Sequence, residues 1–117
     1  MLRANRILPA VERAGLAGAV GLWTIETAIG QVQRWRGMGI DYLNASVPLE
    51  GALLSRSECL ELIGELLHRY DVAGAAMEFE VSESVLTLDA PHVAANLAGL
   101  RAMGAVLTLG DFGMRGL

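Results

Sequence analysis

Phe79-Glu80-Val81-Ser82-Glu83-Ser84, followed one helix later by Leu109-Gly110-Asp111-Phe112-Gly113, is the part of this chain that decides its fold. Each stretch ends an apolar run on acidic residues, and α/β proteins place their chemistry at the ends of such strands. From Ala76 to Val81 the side chains alternate, so Met77, Phe79 and Val81 share one face and Glu78 and Glu80 the other. Ala105 to Leu109 reads as a later strand, and Ile40 to Asn44 as an earlier one.

Between these runs the period changes from two to 3.6. Ser55 and Glu58 have the spacing of a capping box ahead of the stripe Cys59, Leu62, Ile63, Leu66, Leu67 and Tyr70. Asp89 and Pro91 open another helix, which runs through Val93, Leu97 and Leu100 and stops near Gly104. Near the start, Leu8-Pro9 opens a short helix that Gly15 can cap, and Leu22, Ile25, Ile29 and Val32 form the stripe of a second. Strands joined through helices are parallel, so their C-terminal ends emerge on one side. That side is expected to gather Asn44, Glu80 and Asp111.

A chain of 117 residues makes about one domain, taken here as residues 1–117. It is short of the roughly 250 residues of a complete (β/α)8 barrel. The hydrophobic fraction of 53% and mean hydropathy of +0.42 fit parallel strands buried on both faces. A membrane span is not expected: the longest charge-free apolar stretch, Ala14 to Ile25, contains three glycines and falls well short of the ~20 residues required. No signal-peptide core follows Met1, and a cytoplasmic protein is expected. Cys59 is the single cysteine and lies on an apolar stripe, as a buried structural thiol does. A net charge of −4 argues against general nucleic-acid binding. No G-x-G-x-x-G phosphate loop follows a strand.

The amide oxygen of Asn44 and the carboxylate of Glu80 are hard donors of the kind Mg²⁺ or Mn²⁺ takes. The same residues have plainer readings. Glu78 and Glu80 can face solvent on an uncovered sheet, Asn44 can cap a loop, and His68 and His92 fit solvated or capping positions.

Taken with Tyr42-Leu43-Asn44-Ala45-Ser46, these segments resemble the EAL domain family, the phosphodiesterases that hydrolyse the bacterial messenger cyclic di-GMP. Ile7 to Gly15 is similar to the family's F-I-P-L-A-E-E-T-G helix, and Trp23 to Trp35 to the helix after it. The resemblance implies a partial TIM-barrel-like (β/α) domain, with about three parallel strands and flanking helices. It implies Mg²⁺ or Mn²⁺ as cofactor, with Asn44 on the metal-binding Asn of V-N-x-S and Glu80 on the metal-binding Glu of E-I-T-E-S. Glu83 falls on the Glu that holds the active-site loop, and Asp111 on the second Asp of D-D-F-G.

Other family positions are vacant. The Glu-Ala-Leu strand has no counterpart before Met1, Gly110 stands at the first Asp of D-D-F-G, and the chain has no lysine to serve as the family's catalytic one. The expectation is a degenerate or truncated module, inactive alone, that acts by weak cyclic di-GMP binding or by protein contact. The alternatives are one piece of an active enzyme completed by other strands, and a receptor without turnover. An unfinished barrel also exposes strand edges and an inner face, expected to include Leu43, Leu107 and Leu109, so a homodimer or a partner protein is expected to cover it.

Overall fold

The computed structural model describes residues 4–86 and 91–110, without the side chains of residues 4–17. Three parallel strands, β1 (Ala45–Pro48), β2 (Met77–Val81) and β3 (Val106–Leu109), form a sheet in the order β1-β2-β3. Helix α1 (Ala4–Gly37) leads into β1. Helices α2 (Gly51–Leu54) and α3 (Cys59–Tyr70), with a 3-10 turn at Gly74–Ala76, connect β1 to β2. Helices α4 (Glu83–Leu86) and α5 (Pro91–Ala102) lie between β2 and β3.

Helix–strand alternation is therefore as expected, but α1 is one helix where two were expected. Gly15 does not end it: a helical glycine costs only about 1 kcal/mol against alanine, and this segment is rich in alanine. The capping box is not formed either. Ser55 closes α2, and Glu58 takes the N-cap of α3 with no side-chain cap bond.

Each of the three long helices passes into a strand through the same kind of turn. After α1, Gly39 takes φ +84° while Ile40 N–H donates to the Trp35 carbonyl and Gly39 N–H to that of Arg36. After α5, Gly104 at φ +94° is followed by the matching Ala105 to Leu100 bond. After α3, Asp71 adopts φ 56° and Val72 N–H donates to Leu67. These are Schellman closures, which use up the last helical carbonyls and reverse the chain toward the sheet.

The first closure corrects the position of β1. The Arg36 guanidinium donates to the carbonyls of Ile40 and Leu43, at 3.2 and 3.3 Å, so the residues read as a strand are irregular, with a bend at Tyr42. The strand begins at Ala45, one residue after Asn44.

One face of the sheet is the core. Met77 and Phe79 are fully buried, Val81, Val47 and Ala45 nearly so, and they join Ile25, Ile29 and Val32 of α1, Leu53 and Leu54 of α2, and Ile63 of α3. Burying a side chain such as Phe79 contributes about 1.5–3 kcal/mol. Pairing of Phe79 with Leu107 and of Val81 with Leu109 puts both leucines on this face. The opposite face carries Ser46, Pro48, Glu78, Glu80, Val106 and Thr108, from the register Ser46–Glu78–Val106 and Pro48–Glu80–Thr108. The inner face is thus mostly polar. This corrects the expectation of an apolar inner face bearing Leu107 and Leu109, because strand alternation, not strand membership, decides which face a residue occupies.

Candidate functional site

The C-terminal end of the sheet is where strands and following helices meet. Glu80 is half-buried on the open face of β2, and the Ser46 hydroxyl donates to its Oε2 over a long 3.4 Å. Leu49 N–H donates to the Glu80 carbonyl and Gly110 N–H to that of Val81, both at 2.9 Å, so the ladder continues past the ends of β1 and β3. Glu83 begins α4 just beyond, exposed at the helix N-terminus where a carboxylate is favoured by the helix dipole. Ser82 and Ser84 share a hydroxyl–hydroxyl hydrogen bond of 3.0 Å across it.

Asn44 is not part of this group. Ala45 pairs with Met77 at the N-terminal end of β2, whereas Pro48 pairs with Glu80. Asn44 and Pro48 are four residue steps apart, about 13 Å at about 3.3 Å per residue. The expected convergence of Asn44 and Glu80 is therefore replaced by that of Pro48 and Glu80. Asp111 lies outside the described residues.

Proline fits at this position for a backbone reason. Since Leu49 directs its N–H into β2, alternation turns the nitrogen of Pro48 to the outer edge, where no ladder donor within the sheet is lost. Among the described residues, the donors nearest Glu80 on this face are the hydroxyls of Ser46 and Thr108 and, one step back on its own strand, the Glu78 carboxylate. Pro48 and Gly110 offer no side-chain oxygen, and among the described residues no three His, Cys, Asp or Glu side chains cluster as metal ligands do.

Other polar residues serve the frame. The buried Asn96 of α5 donates from its amide nitrogen to the carbonyls of Leu54 and Arg56, at 2.7 and 2.8 Å, tying the α2–α3 connection to α5. Buried Glu26 accepts from the Tyr70 hydroxyl at 2.6 Å, with Arg69 at 4.0 Å, and Gln33 donates to the Tyr70 carbonyl at 3.1 Å. Sequence reasoning missed Asn96 and Glu26; the only signal was a polar residue at a core position of a helical stripe. His92 lines a shallow depression with Ser55, Arg56, Ser57 and Glu58, and is exposed as expected. Cys59 is fully buried, and desolvation pushes its thiol up to about 12. It stays protonated and inert. Among the described residues no helix is long and apolar enough to cross a membrane.

Comparison with known proteins agrees with this frame. A cyclic di-GMP phosphodiesterase of Pseudomonas aeruginosa is 29% identical over 106 residues, covering 91% of this chain and 18% of that protein. An oxygen sensor protein of Escherichia coli is 26% identical over 109 residues, covering 93% of this chain and 14% of the sensor. The solved MucR phosphodiesterase in complex with c-di-GMP superposes with a TM-score of 0.75 at 26% identity, over 97% of this chain and 46% of that one. The EAL domain of Mycobacterium smegmatis DcpA gives 0.74 at 25% identity, over 84% and 44%. The chain thus spans less than a fifth of these curated relatives and less than half of these solved structures. The profile of the EAL domain matches residues 1–117 throughout, and with three parallel strands in the matching arrangement the chain belongs to the EAL domain family.

Proposed function

We propose that residues 1–117 act as one unit in cyclic di-GMP signalling, as a degenerate or truncated EAL module that does not hydrolyse the messenger alone and works by weak binding or protein contact. The observation that carries this reading is the open sheet face. It keeps Glu80 at the strand end of an EAL frame, and among the described residues the neighbouring strands set Pro48 and Thr108 opposite it, with Gly110 beyond, and no acid or amide. A two-metal displacement at phosphorus needs ligands for both ions and a positioned water. Of the candidate metal residues Asn44 and Glu80, only Glu80 stands at this end, with Glu83 and Asp111 following it in sequence. Mg²⁺ or Mn²⁺ therefore belongs to the family's chemistry and not to a step this chain performs by itself. A cytoplasmic location accords with an intracellular messenger.

Calorimetric titration of cyclic di-GMP tests the reading. The expected isotherm is weaker than micromolar, because a sheet of three strands offers only part of a barrel's pocket. Tight, saturable binding would instead make the chain a receptor without turnover, or one whose pocket a second polypeptide completes.

Association is the companion proposal. Pro48 blunts the outer edge of β1, whereas β3 keeps an unpaired edge among the described residues, with Val106 45% and Leu109 59% exposed. We propose that a second copy of this chain, or a partner protein, adds there by strand pairing rather than by packing apolar inner faces together.

A further inference from the structure

We infer that the described residues at the C-terminal end of this sheet hold no divalent cation, because Pro48 and Thr108, which face Glu80 from the neighbouring strands, and Gly110 beyond them bring it no second carboxylate or amide. The inference deepens the function proposed above and rests on it only where a dinucleotide is concerned.

Pro48 faces Glu80 directly across β1 and β2, and Thr108 faces it from β3. By alternation Gly110 is the next residue after Thr108 on the same open face, and its N–H bond to Val81 keeps the backbone in register to that point. Pro48, Glu80 and Thr108 thus form a row of adjacent-strand positions on one face, with Gly110 one step beyond Thr108, and Glu80 brings the only carboxylate of the row. Mg²⁺ demands near-octahedral oxygen coordination, and Mn²⁺ prefers the same hard donors. One carboxylate supplies at most two of about six ligands. Among the described residues, Ser46 and Thr108 offer neutral hydroxyls, the former already donating to Glu80, and Glu78 stands one step back on the same face, opposite Ser46 and toward the N-terminal end of β2. A cyclic dinucleotide bound at this end is therefore held without a bridging cation, and its affinity is unchanged by chelator.

Both vacant positions can accept a donor. A Cβ at Gly110 meets nothing within 4 Å, and the nitrogen of Pro48 faces the outer edge, so Pro48→Asn disturbs no bond within the sheet. Electron paramagnetic resonance of free Mn²⁺, titrated with the full chain in the absence of nucleotide, is the test. The wild-type chain is expected to leave the Mn²⁺ signal free at millimolar protein. The Pro48→Asn/Gly110→Asp variant is expected to gain saturable binding that a further Glu80→Gln removes. Saturable binding by the wild-type chain that Glu80→Gln abolishes would overturn the inference. So would a double variant that is folded by circular dichroism yet binds Mn²⁺ no better than wild type. Neither outcome depends on cyclic di-GMP, whose binding in chelator separately tests the proposed function.

Discussion

Asn96 is 3% exposed, and its amide nitrogen serves the carbonyls of Leu54 and Arg56 together. Asn96→Ala leaves both carbonyls without that donor, so urea denaturation is expected to show a loss of about 2–3 kcal/mol, beyond the usual cost of a surface substitution. Cys59 yields a pH prediction. Its folded pKa, raised by burial to about 12 from 9.0, means that above pH 9 the unfolded chain releases a proton the folded chain retains. Stability from this group is complete below pH 9 and declines as pH rises toward 12, by up to about 1.4 kcal/mol per unit. Denaturation at pH 8 and pH 10 should show this decline in the wild type and lack it in Cys59→Ala. An equal decline in both would contradict the assignment. At this scale Cys59 was legible, since an apolar stripe declares its own burial. Asn44 was not. Its amide and its place after an apolar run are what a strand-end ligand shows, yet the Arg36 bonds to Ile40 and Leu43 delay the strand until Ala45. Nothing local to Asn44 records a guanidinium eight residues away.

Elements were legible where periodicity is strong. The stripe from Cys59 to Tyr70 matches α3 at both ends, and β2 starts within one residue of the expected position. The short α2, the 3-10 turn and α4 were missed because three or four residues are too few to show a period. The turn out of α3 was missed because Asp71, not glycine, adopts the left-handed conformation. That conformation is strained for a residue with a Cβ, so Asp71→Gly is expected to raise the unfolding free energy by up to about 1 kcal/mol. A fall on thermal unfolding would show that the Asp71 side chain contributes more than its backbone costs. The 3-10 turn is limited differently. A Cβ on Gly74 would collide with the Met103 carbonyl, and Gly74→Ala is expected to destabilise by about 1–3 kcal/mol as the turn and the end of α5 are forced apart.

At the scale of the molecule, the fold class followed from alternating period alone, because helices that separate apolar strands force parallel pairing. Register did not. It places Glu80 beside Pro48 and puts Leu107 and Leu109 on the core face, and it emerges only when turns, helix ends and pairings are fixed together. Association through β3 is accordingly expected to respond to Val106→Lys or Leu109→Lys at the exposed edge. Light scattering after size exclusion should show a wild-type dimer and a shift to monomer in these variants; a monodisperse wild-type monomer at micromolar concentration would rule the dimer out. The account as a whole turns on whether Glu80, on an EAL frame but flanked by Pro48 and Thr108, can support hydrolysis. Incubation of the purified chain with cyclic di-GMP and Mn²⁺, followed by chromatography for the linear dinucleotide, is the most direct measurement. No product above the protein-free control is expected; steady product formation that Glu80→Gln abolishes would contradict the account.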